Sequence, residues 1–104
     1  MKKLLACGAL AAMLLPGTAF AHSPMLNCFD NGDGTITCEG GFSDGSSASG
    51  VRMSVKDGSG KVLMEGRMNK DSEYTFDKPG GAYKVIFDGG DGHSIEIDGS
   101  KIVE

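Results

Sequence analysis

Downstream of residue 50 the chain alternates apolar and polar residues in short runs, each ended by glycine, and this period of two limits what it can fold into. In "VRMSVK", Val51, Met53 and Val55 alternate with Arg52, Ser54 and Lys56. Such a repeat puts one face of a strand on a core and the other in water. The turn Asp57-Gly58-Ser59-Gly60 follows, and "KVLMEG" returns as the second strand of a hairpin. "EYTF" is a further strand, bounded by "DKPGG". "AYKVIFD" sets Tyr83, Val85 and Phe87 on one face, and "HSIEID" does the same for Ile95 and Ile97. "KIV" closes the chain after Asp98-Gly99-Ser100. Met53 and Met64 fall with Val51, Val55 and Val62 and are expected in the core, whereas Met68 stands in a polar segment that gives it no face. No run of comparable length has helical periodicity with caps, so the pattern predicts an all-β sandwich or small barrel.

Upstream, "LNCFDNGDGTITCEG" reads as two strands around a three-residue loop, Gly32-Asp33-Gly34. That loop puts Cys28 directly opposite Cys38, at disulfide distance if the pair is non-hydrogen-bonded. Asp30, Asn31 and Asp33 crowd the turn, but with Gly34 as sixth residue of a calcium loop, Phe29 would take the first ligand position. The turn is therefore expected to be a hairpin tip. "GGFSDGSSASG", rich in glycine and serine, is expected to be a loop.

The first 21 residues read as a secretory signal: Lys2 and Lys3, an apolar run from Leu4 to Leu15, a Pro16-Gly17 break and an Ala19-Phe20-Ala21 cleavage site. The apolar run is too short to span a bilayer, so no direct membrane insertion is expected. Cleavage would leave residues 22–104, one small sandwich domain that begins with His22. A periplasmic location follows, and there two cysteines favour a disulfide over a metal site. The mature chain carries 8 basic and 14 acidic side chains, a net charge of −6. That balance argues against nucleic acid as a partner and tolerates cations.

An N-terminal histidine offers its α-amine and a ring nitrogen to one metal ion, and a second imidazole completes a three-nitrogen set. The only other histidine is His93. Imidazole nitrogen suits nickel, copper and zinc, and a thioether such as Met25 adds a preference for reduced copper. Asp88 and Asp91 beside His93 are available as oxygen ligands or as acceptors for an imidazole N–H. Against this, both aspartates have the spacing of ordinary turn residues, Met25 can simply pack, and any residue can follow a cleavage site. Pro24 at mature position three has no amide hydrogen to lose, and the terminal square-planar motif is absent because it needs histidine there. The stretch "FDGGDGHSI" matches a calcium nonapeptide only once, with Ser94 where an aspartate is required. No nucleophile stands with a recognisable base, so no enzymatic activity is expected.

The run "GVRMSVKDGSGKVLMEGRMNKDSEYTFDKPGGAYKVIFDGGDGHSIEI" resembles the carboxypeptidase-regulatory-like and collagen-adhesin B-type modules: a strand, a "D-x-x-G-K-V-L" turn, then "Y-x-F" and "P-G-x-Y-x-V". The resemblance implies a small Ig-like or prealbumin-like antiparallel β-sandwich of about seven strands. Within that group the chain is similar to the small extracytoplasmic accessory proteins of bacterial nickel and cobalt uptake systems. The matching residues are His22, Phe42-Ser43-Asp44-Gly45, and Asp88-Gly89-Gly90-Asp91-Gly92-His93. It implies capture of nickel or cobalt, with copper as the alternative, and a membrane transporter subunit or another envelope protein as partner. The chain departs from the group in its cysteine hairpin, in lacking the C-terminal membrane helix seen in some accessory subunits, and at Asp71-Ser72-Glu73, where the modules usually carry an acidic residue followed by glycine. The competing expectation is a non-catalytic interaction module that binds no metal.

Overall fold

The computed structural model describes residues 23–104. Residues 1–21, expected to be a secretory signal, and His22 lie outside them. Seven antiparallel strands form two sheets: β1 Pro24–Asp30, β2 Thr35–Phe42, β3 Arg52–Asp57, β4 Val62–Arg67, β5 Glu73–Asp77, β6 Tyr83–Asp88 and β7 Ser94–Asp98. One sheet has the order β1-β2-β5 and the other β4-β3-β6-β7. The all-β sandwich expected from the alternation is present.

Between the sheets lie Ile36, Cys38, Met53, Val55, Val85 and Phe87, all fully buried, with Phe76, Tyr83 and Met68 nearly so. Alternation along β3 and β6 therefore set the core face correctly. It failed at Val62, which is 43 % exposed. The register shifts between Val55 and Lys56, so that Val55 faces Met64 but Lys56 faces Val62. Leu63 is the extra residue of a bulge, and the bulge turns Val62 to the outer side. At the end of the chain, residues 99–101 form a 3-10 turn that brings Ile102 of "KIV" into the core.

Cys28 is directly opposite Cys38, and the two are joined by a disulfide across a Cα separation of 4.0 Å. The Asn31 amide donates to the Thr35 carbonyl, which closes the three-residue loop and makes the cysteine pair, three rungs away, non-hydrogen-bonded. The tip is turn chemistry throughout. Asp30 accepts from the Gly32 amide and from Lys78, and Asp33 from the Thr35 amide and hydroxyl. β2 runs further than the composition suggested, taking in Gly40, Gly41 and Phe42 opposite Leu26, Met25 and Pro24. Gly40 faces the core where Met68 and Phe87 pack, so close that a Cβ would meet the Met68 sulfur at 2.7 Å.

The strand order collects at one end of the sandwich the start of β1 and the loops 43–51, 68–72 and 89–93. The hairpin tip, the β3–β4 turn and the C-terminal turn lie at the other end. Among the described residues no helix is long and apolar enough to cross a membrane.

Candidate functional site

His93 ends the loop that joins β6 to β7. The Gly89 amide donates to the His93 carbonyl and the His93 amide to the Gly90 carbonyl, while Gly90 and Gly92 take the positive φ values, 104° and 74°, that such a tight loop requires. At Gly89 a Cβ would lie 2.9 Å from the His93 carbonyl oxygen, so the closure needs glycine at that position.

The His93 ring is half-buried and stands edge-on to Phe42, with centroids 6.2 Å apart; Phe42 in turn packs on Phe87 at 5.9 Å. Nδ1 of His93 is 2.8 Å from the Asp91 carbonyl. A carbonyl only accepts, so Nδ1 carries a proton, and in the neutral ring Nε2 is the nitrogen with the lone pair. A histidine that ligates a metal has this arrangement: a backbone oxygen fixes the ring and its tautomer, and the other nitrogen is left basic. A depression of about 240 Å³ opens beside the ring, lined by Phe42, Ser46, Gly89 and His93.

The start of the described chain is fixed close by. The Ser43 amide donates to the Ser23 carbonyl at 2.8 Å, and the Ser23 amide donates to the Ser43 hydroxyl at 2.9 Å. Pro24 faces Phe42 across the ladder. Ser23, the residue after His22, is thus held next to the aromatic ring on which His93 packs.

The remaining expected residues fall as follows. Asp91 is exposed and acts on His93 through its backbone oxygen, not its carboxylate. Asp88 closes the turn by accepting from the Gly90 amide at 3.1 Å. Met25 is 55 % exposed and pairs with Gly41, on the opposite face of the β1–β2 ribbon from Phe42. The structure therefore brings Asp91 to His93 and leaves Met25 on the outer surface. Among the described residues, no three His, Cys, Asp or Glu side chains converge as a metal cage.

The role of Phe42 as the floor under His93 was missed in the sequence, where it stood only as part of a motif. A signal for half of it was present: the ladder counted outward from Cys28 and Cys38 leads to Pro24 opposite Phe42. The packing of His93 on that ring has no local signature.

The fold and the site define a small disulfide-stapled β-sandwich with one imidazole presented beside the start of its first strand. The chain matches no protein-family model, no curated protein and no solved structure.

Proposed function

We propose that this is a periplasmic protein that captures a transition metal, nickel or cobalt and alternatively copper, through the α-amine and imidazole of His22 together with Nε2 of His93. It then passes the ion to an uptake or handling system, through a transporter subunit or another envelope protein. The observation that carries this reading is the orientation of His93, whose Nδ1 is tied to the Asp91 carbonyl and whose ring packs on Phe42, the neighbour of the Ser43 to which Ser23 is bonded. Ser23, the residue that follows His22 in the sequence, is pinned to Ser43 at this end of the sandwich. The disulfide suits an oxidising compartment. The ion is cargo here. The chain's own contribution is to hold His93 in one tautomer against Phe42 and to anchor the first strand.

Calorimetric titration of Ni(II), Co(II) and Cu(II) tests this on protein cleaved to begin at His22, beside a form with one extra N-terminal residue and a His93→Ala variant. One-to-one binding that is lost in both controls is expected, together with weakening on acidification, because the α-amine and imidazoles must lose protons to bind. Equal, weak binding in all three would overturn it. A second reading, an interaction module without metal, draws on the exposed Val62 and Leu63 of edge strand β4. It predicts indifference to the state of the N-terminus.

A further inference from the structure

The chain has two arginines, Arg52 and Arg67, and they are register partners on β3 and β4. Both are exposed and point to the outer side of the four-stranded sheet, at the same end of the sandwich as the His93 loop. Directly opposed residues have Cβ atoms about 5 Å apart, and like charges so placed repel. A chain with an excess of acidic residues has thus put its only two guanidinium groups side by side. The neighbouring carboxylates, Asp88 and Glu65, do not relieve them, since neither forms an ion pair with an arginine. Asp88 faces Arg52 on β6, yet no ion pair forms between them, and one oxygen of Asp88 is held by the Gly90 amide. Among the described residues the Arg52 guanidinium makes no hydrogen bond or ion pair, whereas Arg67 donates Nη1 to the Gly50 carbonyl at 3.0 Å. That bond fixes the Arg67 side chain against the loop. A shallow cleft of about 530 Å³ opens over the pair, bounded also by Ser49, Gly50, Asp88 and Gly89.

We propose that Arg52 and Arg67 form a binding site for a carboxylate, independent of the metal reading above. Guanidinium forks match a carboxylate in a planar, two-bond geometry that lysine cannot supply. Charge selects among oxyanions: the carboxylates of Asp88 and Glu65 at the rim repel a phosphate dianion more than a carboxylate monoanion. The backbone amides around the cleft do not compete for the ligand. Those of Ser49, Gly50, Gly89 and Gly90 already have acceptors within the loops. The carboxylate is either an acidic side chain of a partner or a free small acid, and the chemistry of recognition is the same for both.

With two arginines, the protein gives two Nε–Hε resonances, and titration by NMR reads the site directly. With acetate both are expected to move saturably with one midpoint, while sodium chloride at equal ionic strength leaves them in place. Arg52→Gln should weaken acetate binding about tenfold at the surviving Arg67 resonance, and Arg52→Lys should fail to restore it. Because the Arg52 guanidinium makes no hydrogen bond or ion pair to lose, Arg52→Gln is expected to fold with an unchanged or raised Tm, which keeps the variant informative. An acetylated tetraglutamate peptide that saturates at least tenfold below acetate assigns the site to an acidic segment of a partner. Equal midpoints per carboxylate assign it to small acids. Linear movement without saturation, equal movement in chloride, tighter binding of phosphate than of acetate, or an Arg67 response indifferent to Arg52→Gln would each overturn the proposal.

Discussion

The hydroxyl of Ser72 accepts a 2.9 Å hydrogen bond from the amide of Ala48, a fully buried residue in the middle of a glycine- and serine-rich loop. The same hydroxyl is 3.0 Å from that of Ser47, so Ser72 ties the turn before β5 to the loop between β2 and β3. Its backbone has φ 62°, the one positive value at a non-glycine among the described residues. Serine here combines a strained conformation, which costs about 1 kcal/mol, with a bond that glycine cannot make.

Ser72→Ala keeps the strain and loses the bond, leaving the Ala48 amide without its acceptor. It should destabilise the protein by about 1–2 kcal/mol in urea denaturation. Ser72→Gly loses the same bond but sheds the strain, so it should fall between Ala and the parent. An alanine variant as stable as the glycine variant would show that the left-handed backbone carries no cost.

Cys28 and Cys38 are 10 residues apart, and closing a loop of that length contributes about 2.5–3 kcal/mol through the unfolded chain. In a domain of this size the double Cys28→Ala/Cys38→Ala variant should therefore lose about 10–20 °C in Tm. Reduction of the parent should give a similar loss. A change below about 3 °C would mean that the unfolded hairpin already holds its ends together.

The hairpin tip and the turns also set the acid limit of stability. Asp30 is held below the usual carboxylate range by its hydrogen bond to Lys78 and then by the Gly32 amide. Asp33 is lowered by the Thr35 hydroxyl and amide, Asp57 by the Ser59 hydroxyl, and Asp98 by the Ser100 amide. A carboxylate lowered in the folded state stabilises it above the unfolded value near 3.8, and that contribution disappears as pH falls through the folded value. Lys78 is shifted up by the same bond to Asp30, so its share is complete below 10.5 and is lost on raising the pH further. Tm should therefore be flat between about pH 5 and 9 with respect to these groups, and should fall below pH 4. In Asp30→Asn the acid limb should be shallower, and an unchanged limb would remove Asp30 from the account.

Much of this fold was legible in the residues, because β3 and β6 alternate strictly and a three-residue glycine loop fixes where Cys38 meets Cys28. What was illegible depends on contacts between distant segments. Val62 obeys the alternation and is still turned outward by a bulge that no pattern announces. Ala48 and Met68 lie in polar, irregular stretches, where a period of two has no meaning, and both are buried. Of the candidate site, the chemistry of His93 was legible and its tautomer was not, since that depends on the fold of one glycine-rich loop. The paired arginines were hidden for a related reason: the bulge in β4 shifts the register beyond it, and simple counting from the Asp57-Gly60 turn does not set Arg52 opposite Arg67.

Met68 also yields the last prediction. It is 3 % exposed and lies over Gly40, where an added Cβ would come 2.7 Å from its sulfur and 2.9 Å from the Phe87 ring. Gly40→Ala forces the methionine or the ring to move and should cost about 1–3 kcal/mol. Met68→Ala alone leaves a cavity and should cost about 2–5 kcal/mol. In the double variant the new methyl group enters the space the methionine has left, so the combined loss should be smaller than the sum by about 1 kcal/mol or more. Additivity within about 0.3 kcal/mol would mean that Phe87, not Met68, takes up the strain at Gly40.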